Sequence, residues 1–426
     1  MSDATQPDSA KFFGWNNVVF LFLIYGCLMG FVFYGFTVIF PAMIKAQGWG
    51  RGEAALAHTV RGLLVGFMAP LVAISISRFG ASNTMKAGLA IGAGALAVLG
   101  TVADQLWHWT VLWGVIMSLS FSFGGVIPIQ TTVTFWFNAR RATAIGIVVT
   151  GSTVAGFIAA PLFTQLINIT GTWRSGWLSA SAICVAALVI SFWVKNKPQD
   201  IGQFPDGISP ENITGSPSAG RTVKKAKTYR TTEPWTLKEA LKTPAPYLYI
   251  VCLIAQTWAL YIVMVHGVLH LTDRAYTQMQ AASVIGNLIL FSGLARFPAG
   301  ILGDRVEPRI LGAIALLGMS ASLFFFWKAP ANIMLLLCVA GIHGFCFGAT
   351  VVLFPTLIGN YFGPSAFAPI TGFVTPFMIV FSAPVPFIAG LIHDRFHNYN
   401  AAFIPIVIML TASAFCCFIL RPPAKK

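Results

Sequence analysis

Acids are scarce in this sequence. Asp and Glu number 13 in 426 residues, and charged residues of both signs make up only 9%. A water-soluble domain carries roughly 25% charged residues, so a chain with mostly water-facing surface is excluded. Cysteine is sparse too. All seven (Cys27, Cys184, Cys252, Cys338, Cys346, Cys416 and Cys417) fall inside apolar runs, where they read as small packing side chains and not as a disulfide framework or metal ligands. No glycine-rich nucleotide loop, zinc motif or Ser/His/Asp set stands in the sequence, so no enzyme activity, cofactor or metal is expected.

What the chain does have is apolar length. It is 56% hydrophobic, holds 36 Phe, and has a mean hydropathy of +0.76. About 20 apolar residues suffice to cross a bilayer as a helix. Twelve such stretches are expected, near residues 17–44, 53–76, 85–103, 109–136, 142–168, 176–194, 245–271, 279–302, 310–327, 332–358, 366–391 and 400–420. The fold class is therefore an all-α polytopic membrane protein of twelve helices in two six-helix bundles. Residues 1–195 make the first bundle and 196–244 a flexible central loop rich in Lys, Pro, Ser, Thr and Gly. Residues 245–426 make the second bundle and a short tail.

The net charge of +14 invites a nucleic-acid reading, but its distribution argues against one. With both termini cytoplasmic, 19 Lys and Arg fall on the inner side and 6 on the outer, leaving Arg61 and Arg296 within spans. This is the positive-inside bias, and the excess charge faces lipid headgroups. The first apolar run is too long for a signal-peptide core, so no cleavage is expected.

The halves echo each other. Arg78–Phe79–Gly80 corresponds to the Gly303–Arg309 stretch, and Trp136–Gly146 to Tyr361–Gly372, at offsets of 225 to 227 residues. Such spacing suggests a parallel duplication around a central cavity. The stretch from Gly300 to Arg309, GILGDRVEPR, resembles the loop signature of the major facilitator superfamily, G-x-L-x-D-R-x-x-x-R. The first-half copy has Ser77 for its Asp and no trailing Arg. Other stretches resemble the monocarboxylate porter and oxalate/formate antiporter branch: QGWGRGEAAL before span two, WFNARRATAIGI, GTWRSGW, KPQDIGQFPDG and TLKEALKTP. The resemblance implies alternating access, and gating roles for Gly300, Gly303, Asp304, Arg305, Arg309, Arg78, Arg140 and Arg141.

It also implies that Arg296 binds a carboxylate. A guanidinium is a two-pronged donor that stays protonated. The plainer reading is that its long side chain snorkels to the interface. Animal members of the branch carry an Asp one turn earlier, where Ser292 stands here. All 13 acids map to loops, tails or span ends, so the interior holds two cations and no protein anion. The expected partner is a small organic acid anion, a monocarboxylate or a dicarboxylate, moved by proton symport or anion exchange. Arg61 is read either as a second cavity cation or as snorkelling outward. Tyr34 aligns where some animal members place a cavity Lys. His58, one turn from Arg61, shares its face. His266 aligns with a cavity His of bacterial relatives, while His270 completes an i, i+4 pair with no third ligand. His343, Asn287 and Gln130 are further polar candidates.

The leading function is thus a secondary transporter of small organic carboxylates, with a drug or neutral-solute exporter as the alternative. Its setting is the bacterial inner membrane, as a monomer among lipid, with no nucleic-acid partner.

Overall fold

The computed structural model describes residues 12–209 and 228–425. Lys11, Lys426, Asp3, Asp8, Glu211 and the loop cations Arg221, Lys224, Lys225 and Lys227 lie outside the described residues. Among the described residues the spanning structure is wholly helical. The helices are α1 Gly14–Gln47, α2 Glu53–Phe79, α3 Ala81–Val102, α4 Leu106–Trp136, α5 Arg141–Thr170, α6 Arg174–Ser191, α7 Ala245–Thr272, α8 Gln278–Arg305 and α9 Pro308–Lys328. A further 64-residue run, Ile333–Phe396, breaks at Gly363 into α10 (333–362) and α11 (364–396), and α12 is Asn400–Ile419. Successive helices alternate in direction, so the first described residues of α1 and the last of α12 lie at one face, here the termini end.

Most helices outrun their expected apolar windows by a few residues, since backbone hydrogen bonding continues after hydropathy falls. The expected connection between the tenth and eleventh spans is a single residue. Gly363 adopts φ 74°, ψ 176°, a backbone conformation open to glycine and costly for other residues, and Pro364 starts the next helix where a missing N–H does no harm.

Each half has its own core. One is built from residues such as Leu28, Trp113, Phe121 and Phe163, the other from Ile262, Leu316, Tyr361 and Phe403. In an apolar solvent these cores gain little from hydrophobicity, so helices associate through close packing of small residues. A Cβ on Gly348 of α10 would stand 2.1 Å from the Ser292 carbonyl oxygen of α8, and one on Gly344 would stand 2.0 Å from that of Leu288. The halves meet along two seams. In one, α5 lies against α8; in the other, α2 and the second part of α4 lie against α10 and α11.

The central loop is tied down where it is described. The Asp206 carboxylate accepts from the Asn138 and Ala139 amides at 3.0 and 2.7 Å. A one-turn helix, Leu237–Ala240, starts at Thr236 with a reciprocal cap from Glu239.

Gly348→Val should lower the melting temperature in detergent, because overpacking a tight contact costs about 1–3 kcal/mol. Gly94→Val is the control, since a Cβ there meets nothing within 4 Å. Equal melting temperatures for the two variants would show that the α8–α10 contact gives way without cost.

Candidate functional site

Arg296 sits on α8 and is 8% exposed. Its helix approaches α5 so closely that a Cβ on Gly146 would stand 2.5 Å from the Arg296 carbonyl oxygen. Gly300 meets the Ala142 backbone and Gly293 the Thr153 side chain in the same way. The side chain does not run to the membrane interface. Its Nη1 donates to the Val149 carbonyl and to Ser152 Oγ, the latter at 2.8 Å. Tyr25 of α1 lies near Ser152 and within the field of Arg296. The buried Nε has no hydrogen-bond partner among the described residues.

Arg61 on α2 is 6% exposed and also turns inward. Its guanidinium lies 4.8 Å from the ring centre of Phe121, 5.2 Å from Phe33 and 5.7 Å from Trp113. Each such contact is worth about 0.5–2 kcal/mol, against an insertion cost for a mid-membrane Arg of about 2.5–3.5 kcal/mol. Aromatic faces thus offset the burial that an acid would otherwise offset. His58 Nε2 is 3.3 Å from Nη2, and the His58 ring packs on Phe36 at 4.7 Å. Tyr261 of α7, in the other bundle, lies close enough to interact with the charge. Neither Arg61 nor Arg296 has a carboxylate at ion-pair distance among the described residues.

The other candidates are scattered. Tyr34 packs over Gly156 and interacts with Tyr25. Ser292 is buried, and Gln130 is buried on α4. Asn287 donates to the Leu337 carbonyl at 2.7 Å, tying α8 to α10. His266 has both ring nitrogens engaged, with Tyr399 Oη at 3.2 Å and the Pro386 carbonyl at 2.8 Å. His270 faces the Trp327 carbonyl and His343 faces Ser322. These three histidines lie within the second bundle.

At the termini end the α5–α8 seam closes through charge. The Asp304 carboxylate accepts from the Ala142 and Thr143 amides, each at 2.9 Å. It thereby caps the first turn of α5, where free N–H groups and the helix dipole favour an anion. Beside it, buried Arg141 donates to Asn360 Oδ1 at 2.7 Å and to its own Phe137 carbonyl. The central loop threads the same place. Arg230 donates to the Ala139 carbonyl at 2.7 Å, the Thr231 amide to the Asn360 carbonyl at 2.8 Å, and the Tyr229 amide to Glu307 at 2.9 Å. Burial lowers the Arg230 pKa, against the opposing pull of Asp304, Asp206 and Glu307.

Of the other motif residues, Gly303 packs against Leu353 and Ala142, and Arg309 donates to the Phe418 carbonyl at 3.1 Å. Arg305, Arg140 and Arg78 are exposed. Sequence reasoning missed Tyr25, Ser152 and Tyr261 around the two cations, and Arg230, Asp206 and Asn360 at the closure. Only Asp206 carried a signal, as part of the KPQDIGQFPDG stretch.

A helical, multi-pass architecture with two bundles around buried cations is that of a membrane transporter. The sequence profile of the Major Facilitator Superfamily matches residues 22–293 and 277–426, and the chain belongs to that family. It is similar to monocarboxylate transporter 13 of Rattus norvegicus, with 24% identity over 97% of this chain and 90% of the relative. Against monocarboxylate transporter 1 of Bos taurus the identity is 24%, over 97% and 85%. Among solved structures it resembles the proton:xylose symporter XylE bound to 6-bromo-6-deoxy-D-glucose, with a TM-score of 0.72, 12% identity and 96% of both chains covered. The human organic anion transporter MFSD10 gives a TM-score of 0.67 at 13% identity, over 97% of this chain and all of that one. The chain is a major facilitator transporter, not an enzyme.

Asp304→Asn keeps one acceptor oxygen and removes the charge. A hydrogen bond to a charged group contributes about 1.5–3 kcal/mol, so closure at the termini end should weaken by about tenfold or more. Spin labels at exposed Asn138 and Val306, in a cysteine-free background, should report a larger long-distance population. An unchanged distance distribution would show that the seam closes without the carboxylate.

Proposed function

We propose that this transporter moves small organic carboxylates by alternating access, with Arg296 as the group that holds the carboxylate. The observation that carries the reading is a buried guanidinium on the seam between the bundles, with no carboxylate at ion-pair distance and no partner for its buried Nε among the described residues. A buried cation without a counter-ion is costly, and a substrate anion supplies the missing charge. The relatives named as monocarboxylate transporters support the same class, and monocarboxylates come first. The excess of Lys and Arg at the termini end supports cytoplasmic termini in a plasma or bacterial inner membrane. Residues 1–195 and 245–426 act as the two rocking units, joined by the central loop.

Arg296→Gln protein should fold and lose uptake of organic acids in proteoliposomes. Arg296→Lys keeps the charge but loses the paired donors, and uptake should fall at least about tenfold. Normal uptake by a well-folded Arg296→Gln protein would refute the carboxylate role.

The coupling step is either proton symport, with the proton on the substrate carboxyl, or exchange of one anion for another. The acids at span ends away from the seam are Glu53, Asp273 and Asp394. Their amide variants should keep both proton-driven accumulation and exchange. If one of them loses accumulation while exchange survives, that acid carries the proton.

A further inference from the structure

Two guanidinium ions stand at different depths in the molecule. Arg296 donates to Val149 and Ser152, and Tyr25 lies within its field. These groups lie roughly 8 to 11 residues from the termini end of their helices, or about 12–17 Å at 1.5 Å per residue. The groups around Arg61 are Phe121, Tyr261 and Phe33. They lie roughly 15 to 19 residues from that end, or about 22–29 Å. The two charges are therefore separated by about 10 Å along the axis. Aromatic residues of α1 lie between them: Tyr25 is within the field of Arg296 and of Tyr34, and Phe33 packs against both Tyr34, at 5.4 Å, and Arg61.

Arg61 is built as a site. It is held by ring faces and by His58, and not by a carboxylate. Its Nε and the His58 Nδ1 are buried without a hydrogen-bond partner among the described residues. Tyr261 brings the second bundle to the same charge.

We propose that Arg61 is a second anion-binding station, and that it takes the far carboxylate of a short dicarboxylate whose near carboxylate sits on Arg296. The inference rests on the carboxylate reading given above and narrows its substrate class. A monoanion leaves one buried cation uncompensated, whereas a dianion compensates both. Each guanidinium–carboxylate pair has N···O contacts of about 2.7–2.9 Å. Two such pairs take up most of an axial offset of about 10 Å, so the dianion that bridges them is a short one. With one cation on each bundle, the bound dianion is also a cross-link between them.

The test uses the full chain in proteoliposomes, reading inhibition of labelled-lactate counterflow by butyrate and by succinate at pH 7. Wild type should be inhibited by succinate at least tenfold more strongly than by butyrate, a difference of about 1.4 kcal/mol. Arg61→Gln should erase that preference, weakening succinate at least tenfold more than butyrate, while Arg61→Lys should retain part of it. Equal inhibition of wild type by the two acids overturns the proposal without any variant. So does an Arg61→Gln protein in which both inhibitors weaken equally or neither weakens; Arg61 is then a structural cation in an aromatic box. If lactate counterflow is absent and neither acid binds, the carboxylate reading falls with it. If lactate counterflow persists without the dianion preference, only the second station falls.

Discussion

Helices α5 and α8 touch backbone to backbone, and most of what can be said about this transporter follows from that seam. Glycines at 146, 293 and 300 remove the side chains that would hold the helices apart. The approach puts Arg296 against the Val149 carbonyl and Ser152, and puts Asp304 over the first amides of α5. One pair of helices therefore carries both the proposed binding group and the closure at the termini end. On the proposed reading, a carboxylate arriving at Arg296 competes for the donors that now hold α5. A carboxylate adds a full counter-charge and two parallel acceptors, so it competes well. Binding and the stability of the closed seam are then linked through a single guanidinium.

The two interior cations are stabilised by different means. Arg296 uses a neutral carbonyl and a hydroxyl; Arg61 uses three aromatic faces and a histidine. Neither solution supplies a full counter-charge, and both leave a buried Nε without a partner among the described residues. A protein carboxylate beside either one would satisfy it permanently and remove its use for an anion. The scarcity of acids, first met as a composition, has this meaning at the site.

Hydropathy made the helices legible, because the membrane forces each span to be long and apolar. The charged loops support, on similar grounds, the expectation of cytoplasmic termini. The break at Gly363 was not legible as a one-residue connection, since apolar residues continue through it and only the backbone torsion marks it. Arg296 and Arg61 stood out because charge is so rare in the interior. Their partners did not, since a carbonyl, a serine, a tyrosine and three aromatics look like ordinary packing in a chain with 36 Phe. His266 shows the converse. As a polar residue in a span it attracted a functional reading, yet both ring nitrogens are engaged inside the second bundle. The central loop read as unstructured from composition, but Asp206 and Arg230 tie its described ends to the Asn138–Ala139 turn through long-range contacts that composition does not encode.

The repeat is symmetric in helices and asymmetric in its locks. Ser77 stands at the offset of Asp304, and its hydroxyl bonds back to its own Ile74 carbonyl. The α2–α11 seam relies instead on close packing, with Gly372 against the Ala69 carbonyl and Gly66 against Ile379. Lipid tails are as apolar as those side chains, so such a seam gains no hydrophobic drive from closing. Charge-assisted bonds at Asp304 and Arg141, with the Arg230 strap across them, are what the termini end has beyond packing. On the proposed alternating-access reading, release of the α5–α8 side then governs opening, and the packed α2–α11 side serves as the surface about which the bundles rock.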